Sequence, residues 1–204
     1  MMSRSRPRSA IVAAALLLAL PALGATLAAP GAVPPARAAG ELSPPRTALF
    51  TLATLDGRRV TEESYRGKWL LIYFGYTSCP DACPTTLTSI GAALDALGPL
   101  AEKVQPLFIT IDPMRDKPRV MTAYLKAFDP RIIGLRGTSQ QIAEAAKQFQ
   151  VYYRLQRLAD GGYGIDHSGF VYVVNPQGVL AEKLLVGEQL AGPQMAEELS
   201  KLVK

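Results

Sequence analysis

Two cysteines and one histidine make up the whole complement of these residue types in the 204-residue chain. Cys79 and Cys83 stand in "GYTSCPDACP", just past the apolar run "KWLLIYF". Thiolates exchange with disulfides, bind soft metals, or close a structural staple. Pro84 suits the first turn of a helix, where its missing N–H costs nothing. Cys83 is therefore expected at a helix start, with Cys79 just before it. A helix N-terminus favours the thiolate and lowers its pKa. If the turn is roughly helical, the spacing puts both sulfurs on one side, where both could touch one ion. They could also pair with each other, because helical neighbours at that spacing lie about 6 Å apart, inside the range that disulfides accept. A purely structural disulfide would gain little, since the loop it closes is very short. The spacing alone does not separate redox chemistry from metal binding.

The histidine sits in "GGYGIDHSGFVYVVNP" as His167. A lone histidine is more often a surface or core residue than a ligand. Here it precedes the strand-like "FVYVV", behind a Gly-rich segment that reads as a loop. If that strand borders "WLLIYF", its leading segment lies near the cysteines, and two sulfurs and an imidazole converge. Such a set suits copper: thiolates favour Cu(I), and imidazole helps to hold Cu(II). Zinc is the physical competitor, but its structural sites normally take four protein ligands. Met114, Met121 and Met195 fall in predicted helix or loop segments and read as core filler rather than a fourth ligand. Asp112 and Asp166 could orient His167 from behind; the bland alternative is that they are solvated loop carboxylates.

The elements that must position these residues follow from hydrophobic periodicity. "ALFTLATLDGRRV" holds Asp56-Gly57, a hairpin turn signal between two short strands. "KWLLIYFGY" is expected to be a central strand covered on both faces. Leu87, Ile90, Leu94 and Leu97 recur at helical spacing until Gly98-Pro99. "VQPLFITID" is the next strand. Val120, Tyr124, Leu125 and Phe128 mark a second helix, and "RIIGLRG" a short strand. Thr138 and Gln141 form a candidate capping box for a third helix with Ile142, Ala145, Ala146 and Phe149 inward. "VYYRLQR" is extended. "FVYVV" and "VLAEKLLVG" flank the turn "NPQG", and a last helix carries Met195, Leu199 and Leu202 on one stripe. This order predicts an α/β fold with a central, mainly parallel sheet flanked by helices and led by a β-hairpin. Ligands in such sheets bind beyond the carboxyl ends of strands, where the cysteines fall.

The N-terminal end reads differently. "MMSRSRPRS" is basic, a long apolar stretch follows, and Ala36 and Ala38 form an A-x-A-like cleavage site, so residues 1–38 read as a secretory signal. A single membrane anchor is the rival, with Pro21 and Gly24 against it. Either way the folded part is expected outside the cytoplasm, in a periplasm or on the outer face of the membrane. Residues 39–46 read as a linker and 47–204 as the folded domain. The leader holds Arg4, Arg6, Arg8 and Arg37 and no acid, so its removal takes the 22 basic residues to 18 against 17 acidic ones, and the net charge from +5 to +1. No basic footprint for nucleic acid survives.

"GYTSCPDACP", "IDPMRDKPRVMTAYLKAFDPRIIGLRGT" and "GYGIDHSGFVYVVNP", in that order, resemble the Sco/SenC family of copper chaperones, from about residue 45 to the end. The resemblance implies a thioredoxin-like fold with a hairpin added at the front. It places Cys79, Cys83 and His167 at the family's copper ligands. It further implies copper delivery to the dinuclear site of cytochrome c oxidase during its assembly, with that site's subunit as partner and other copper chaperones or thiol reductants beside it. Family members are generally tethered by an N-terminal segment. The competing class is an enzyme, a thiol–disulfide oxidoreductase using Cys79 and Cys83, including one that keeps the oxidase cysteines reduced. Thioredoxins use C-x-x-C, one residue shorter, and place a cis-proline where this chain has "DHSG". Both departures disfavour general disulfide exchange.

Overall fold

The computed structural model describes residues 47–159, 161–187 and 191–204; the expected leader 1–38 and linker 39–46 lie outside them. The apolar run "WLLIYF" forms β3 (Trp69–Gly75), buried from its second residue onward. It lies inside a seven-stranded sheet of order β2-β1-β5-β4-β3-β8-β9. Around it run β1 (Thr51–Thr54), β2 (Arg59–Thr61), β4 (Val104–Thr110), β5 (Ile133–Arg136), β8 (Phe170–Val174) and β9 (Leu180–Leu185). The four α-helices among the described residues are α1 (Ala82–Leu97), α2 (Pro118–Leu125), α3 (Ser139–Phe149) and α4 (Gly192–Leu202). Among the described residues no helix is long and apolar enough to cross a membrane.

The expectation of parallel strands holds at the centre, where β3, β4 and β5 run parallel. The outer pairings β1–β2, β1–β5, β3–β8 and β8–β9 are antiparallel, so the sheet is mixed. For β1–β2 and β8–β9 the reason is local: Asp56-Gly57 and "NPQG" are tight turns, and tight turns can join only antiparallel neighbours. Gly57 takes φ +91 in the first. In the second, the Gly178 N–H donates to the Asn175 carbonyl at 2.9 Å across Pro176.

Both faces of the sheet are covered. Phe74 meets Phe149 of α3 and Tyr172 of β8 on one face. Tyr73 and Phe108 meet Cys83 of α1 and Tyr124 of α2 on the other. Helix α4 packs on α1 so closely that a Cβ at Gly192 would lie 2.4 Å from that of Ala92. The capping box of α3 is present, with Thr138 accepting from the Gln141 N–H. Leu87, Ile90 and Leu94 of α1 and Met195 and Leu199 of α4 are buried as their spacing predicts.

Three readings are corrected. Val120 is exposed, and Met121 and Leu125 carry the inward stripe of α2. The helix begins at Pro118, so Val120 falls on the outer side of its first turn. Met114 is not core filler but 70% exposed. Finally, the segment before His167 is not a loop. It is β7 (Tyr163–His167), paired antiparallel with β6 (Tyr153–Arg157) in a separate two-stranded ribbon. Two of its glycines lie at the ribbon's turn, where Gly161 takes φ +86 and the Leu158 N–H donates to the Gly162 carbonyl at 2.9 Å; the third, Gly164, lies within β7 opposite Gln156.

Candidate metal centre

The site grows from the carboxyl end of β3. The chain leaves the sheet at Gly75 and enters α1 seven residues later. Cys83 is the second residue of that helix and is fully buried; Cys79, in the turn before it, is half-buried. The N-cap residue, Asp81, makes no side-chain cap. The sulfur of Cys79 takes that part, accepting the Cys83 backbone N–H at 3.4 Å. This satisfies one of the orphan donors of a helix start and places the sulfur where partial positive charge is concentrated.

Gly75 makes room for this packing. A Cβ there would lie 2.8 Å from Phe108 and 2.9 Å from the Cys83 sulfur, closer than side-chain atoms tolerate. The hydroxyl of Tyr73 donates to the Cys83 sulfur at 3.5 Å. Burial pushes the ionisation of that phenol far above its usual range, so it remains a donor.

Strand β8 runs antiparallel to β3, with Val171 opposite Tyr73. Its start therefore lies beside the end of β3, and His167 arrives over the cysteines as expected. The His167 Nε2 is 3.5 Å from the Cys83 sulfur. Its Nδ1 is 3.0 Å from the Ser168 carbonyl. A carbonyl can only accept, so Nδ1 carries the proton in that bond and Nε2 keeps its lone pair toward the sulfurs. Tyr73 and Tyr76 close the imidazole edge-on, each with ring centres 6.0 Å away. The two sulfurs and a His167 ring nitrogen all lie within 4.8 Å of one another.

The thiols are free, and they are unlike. The Cys79 thiol is held far below its usual range, first by a hydrogen bond from Cys83 and then by the backbone N–H groups of Asp81 and Cys83, against the cost of burial. The Cys83 thiol is pushed up by its neighbour's sulfur and by burial. One proton shared between two sulfurs gives this asymmetry, with the negative charge on the more accessible one.

The carboxylates expected behind His167 bond elsewhere. Asp166 is exposed and accepts from Gln156. Successive side chains of a strand alternate, so when His167 faces the sulfurs Asp166 faces away. Asp112, 3% exposed, pairs with Arg115 and accepts from the Tyr163 hydroxyl at 2.9 Å. The partner of the imidazole is the backbone of Ser168.

Sequence reasoning missed the supports on the cysteine side. Asp116 is fully buried and accepts from the Thr77 hydroxyl at 2.5 Å, the Thr77 N–H at 3.1 Å and the Thr110 hydroxyl at 2.6 Å. It ties the start of the cysteine turn to the end of β4. A charged residue in a polar loop gives no sign of burial.

The geometry defines a thioredoxin-like α/β protein with two thiols at a helix start and an imidazole brought over them from the neighbouring strand. The SCO1/SenC family model matches residues 40–204, and the chain belongs to that family. It is 42% identical over 137 residues to "Protein sco1" of Schizosaccharomyces pombe, covering 65% of this chain and 52% of that one. The human protein "SCO1 homolog, mitochondrial" is 39% identical over 132 residues, covering 63% of this chain and 44% of that one. The chain thus spans about half the length of these curated relatives. Among solved structures, Bradyrhizobium japonicum ScoI with copper bound superposes with a TM-score of 0.68 at 37% identity, over 75% of this chain and 96% of that one. Yeast Sco1 with copper bound gives 0.70 at 35%, over 78% and 88%.

Proposed function

We propose that this chain is a copper chaperone that carries one copper ion on Cys79, Cys83 and His167 and passes it to cytochrome c oxidase during assembly. The observation that carries this reading is the convergence of the three donors within 4.8 Å. Two donors bonded at about 2.3 Å to one ion sit at most about 4.6 Å apart, and three spread evenly around it about 4.0 Å apart, so the site needs less than about 1 Å of adjustment. Two sulfurs suit Cu(I), and the lone pair on Nε2 adds the nitrogen that Cu(II) prefers. Copper is cargo here, so partial exposure of Cys79 serves its exit to an incoming thiolate. Relatives of known structure hold copper on the same fold. The recipient is the oxidase subunit with the dinuclear copper site. The domain works outside the cytoplasm, delivered by residues 1–38 as a cleaved signal or an anchor.

One observation favours a second reading, a reductase for the recipient's cysteines. An accessible, readily ionised Cys79 beside a buried Cys83 is also the arrangement of an attacking and a resolving thiol. His167 separates the two readings, because thiol exchange does not use it. For the chaperone, insulin reduction is slow and His167→Ala abolishes oxidase activity in cells. Fast insulin reduction and normal oxidase activity in that variant would install the reductase instead.

A further inference from the structure

We infer that Arg115 is the positioning residue for His167, holding the histidine strand over the sulfurs without contacting the ion; this rests on the copper reading above. The ribbon β6–β7 is not paired with the seven-stranded sheet. A two-stranded hairpin is marginal on its own in water, so the place of His167 depends on what grips its strand. Ile165 anchors the strand by burial in the core, and on the side facing the cysteines the polar grips are two. Tyr76, just past β3, accepts the Ile165 N–H on its hydroxyl at 3.2 Å. Arg115 takes the far end: its Nη1 donates to the Tyr163 carbonyl at 2.7 Å, and its guanidinium lies 3.7 Å from the centre of the Tyr163 ring and 5.7 Å from that of Tyr76.

Arg115 is itself fixed. Its Nε pairs with Asp112, whose other oxygen receives the Tyr163 hydroxyl at 2.9 Å. The planar fork thus holds one residue of β7 by its backbone, its ring and, through Asp112, its hydroxyl. Lysine has no such fork. The Arg115 Nη2 is buried with no partner, a cost that stacking on Tyr163 helps to offset. Tyr163, Ile165 and His167 share one face of β7 by alternation. Fixing the rotation of the strand at Tyr163 therefore fixes the side to which His167 points, about 13 Å farther along at about 3.3 Å per residue.

The cysteines do not depend on this grip. Their turn is tied through Thr77 to Asp116, the next residue along. Asp112 and Asp116 are the two buried carboxylates among the described residues, and both lie on the loop after β4. One loop thus anchors the sulfur half with one acid and, through Arg115, the nitrogen half with the other. Loss of Arg115 should release the second half alone.

The test uses Arg115→Gln, with His167→Ala and the double variant. Cu(II) affinity in Arg115→Gln should fall by roughly 10- to 100-fold, the range for removing groups that orient ligands, while Cu(I) affinity changes by less than about threefold, two thiolates holding it. The double variant should bind Cu(II) no more weakly than His167→Ala alone, because the two residues act through one ligand. Without metal, NMR of the single imidazole should lose its contacts with Tyr73 and Tyr76 in Arg115→Gln, with β3 and β4 amides unmoved. Equal loss of Cu(I) and Cu(II), additive losses in the double variant, or unchanged imidazole contacts would each overturn the assignment. Cu(II) binding unimpaired in His167→Ala would overturn it together with the copper reading, whereas loss there but not in Arg115→Gln would overturn it alone.

Discussion

Cys83 sits on a helix packed against the middle of the seven-stranded sheet, whereas His167 sits on the last residue of a two-stranded ribbon outside that sheet. The sulfur half is surrounded by core: Tyr73 and Phe108 are fully buried, and Gly75 admits the Cys83 sulfur at a distance no Cβ would allow. The nitrogen half is held by one buried side chain, Ile165, and otherwise by a few contacts from Tyr76, Arg115 and the Ser168 carbonyl. This difference suits a carrier that must serve two oxidation states of one ion. In the proposed reading, of the two sulfurs that both states need, Cys83 is built into the core and Cys79 lies half-buried beside it. The ligand proposed to distinguish the states, His167, is on a ribbon that is not paired with the sheet.

The strongest way to break the comparison is to remove the sulfur half chemically. Oxidation of Cys79 and Cys83 to a disulfide, with two electrons and two protons passing to an added oxidant, consumes both thiolates while leaving His167 in place. Oxidised protein should retain essentially no copper of either state after dialysis, and reduction should restore one equivalent. Equal copper content before and after oxidation would show that the sulfurs are not the ligands.

A smaller effect is expected from crowding that half. Gly75→Ala forces a methyl against Phe108 and the Cys83 sulfur, and overpacking of this kind costs roughly 1–3 kcal/mol. The urea midpoint should fall accordingly, and both copper states should weaken together, unlike the split expected when His167 is disturbed. A variant with unchanged stability and copper binding would show that the sulfur half is not tightly packed.

The comparison is sharpened within the sulfur pair by alkylation of the metal-free, reduced protein. The Cys79 thiol ionises far below the usual range, so its anion is present on both sides of neutrality. Its alkylation rate should therefore stay nearly flat from pH 8 to 6, and fall only as pH drops through the lowered pKa. An ordinary thiol, with a pKa near 8.5, slows by about tenfold per unit over that range. Cys83, fully buried and pushed the other way, should react last. Faster labelling of Cys83 would reverse the assigned roles.

Much of the site was legible because its ligands are rare residue types. With two cysteines and one histidine in the chain, little else could form a soft site, and the apolar run of β3 told where the cysteines stand. The helices followed from spacing, as with Ile142, Ala145, Ala146 and Phe149 on α3. The supporting groups were illegible for a physical reason. Asp116 is tied to Thr77, 39 residues away in sequence, and Arg115 to Tyr163, 48 residues away, and no local pattern reports such pairings; Asp112 was named, but not its partners. Asp166 was misplaced because β7, taken for a loop, hid the alternation that turns it away from His167. Gly75 lay within the expected strand "KWLLIYFGY", and only the packed sulfur shows why a side chain is forbidden there.

The central claim, that Cys79, Cys83 and His167 hold one ion together, is tested most directly by Cu(II) titration of the reduced protein and its His167→Ala variant, followed by the sulfur-to-copper absorption. The expected result is one equivalent bound in the parent chain and loss of stable Cu(II) binding in the variant, with Cu(I) still held. An identical Cu(II) titration in the two proteins would contradict it.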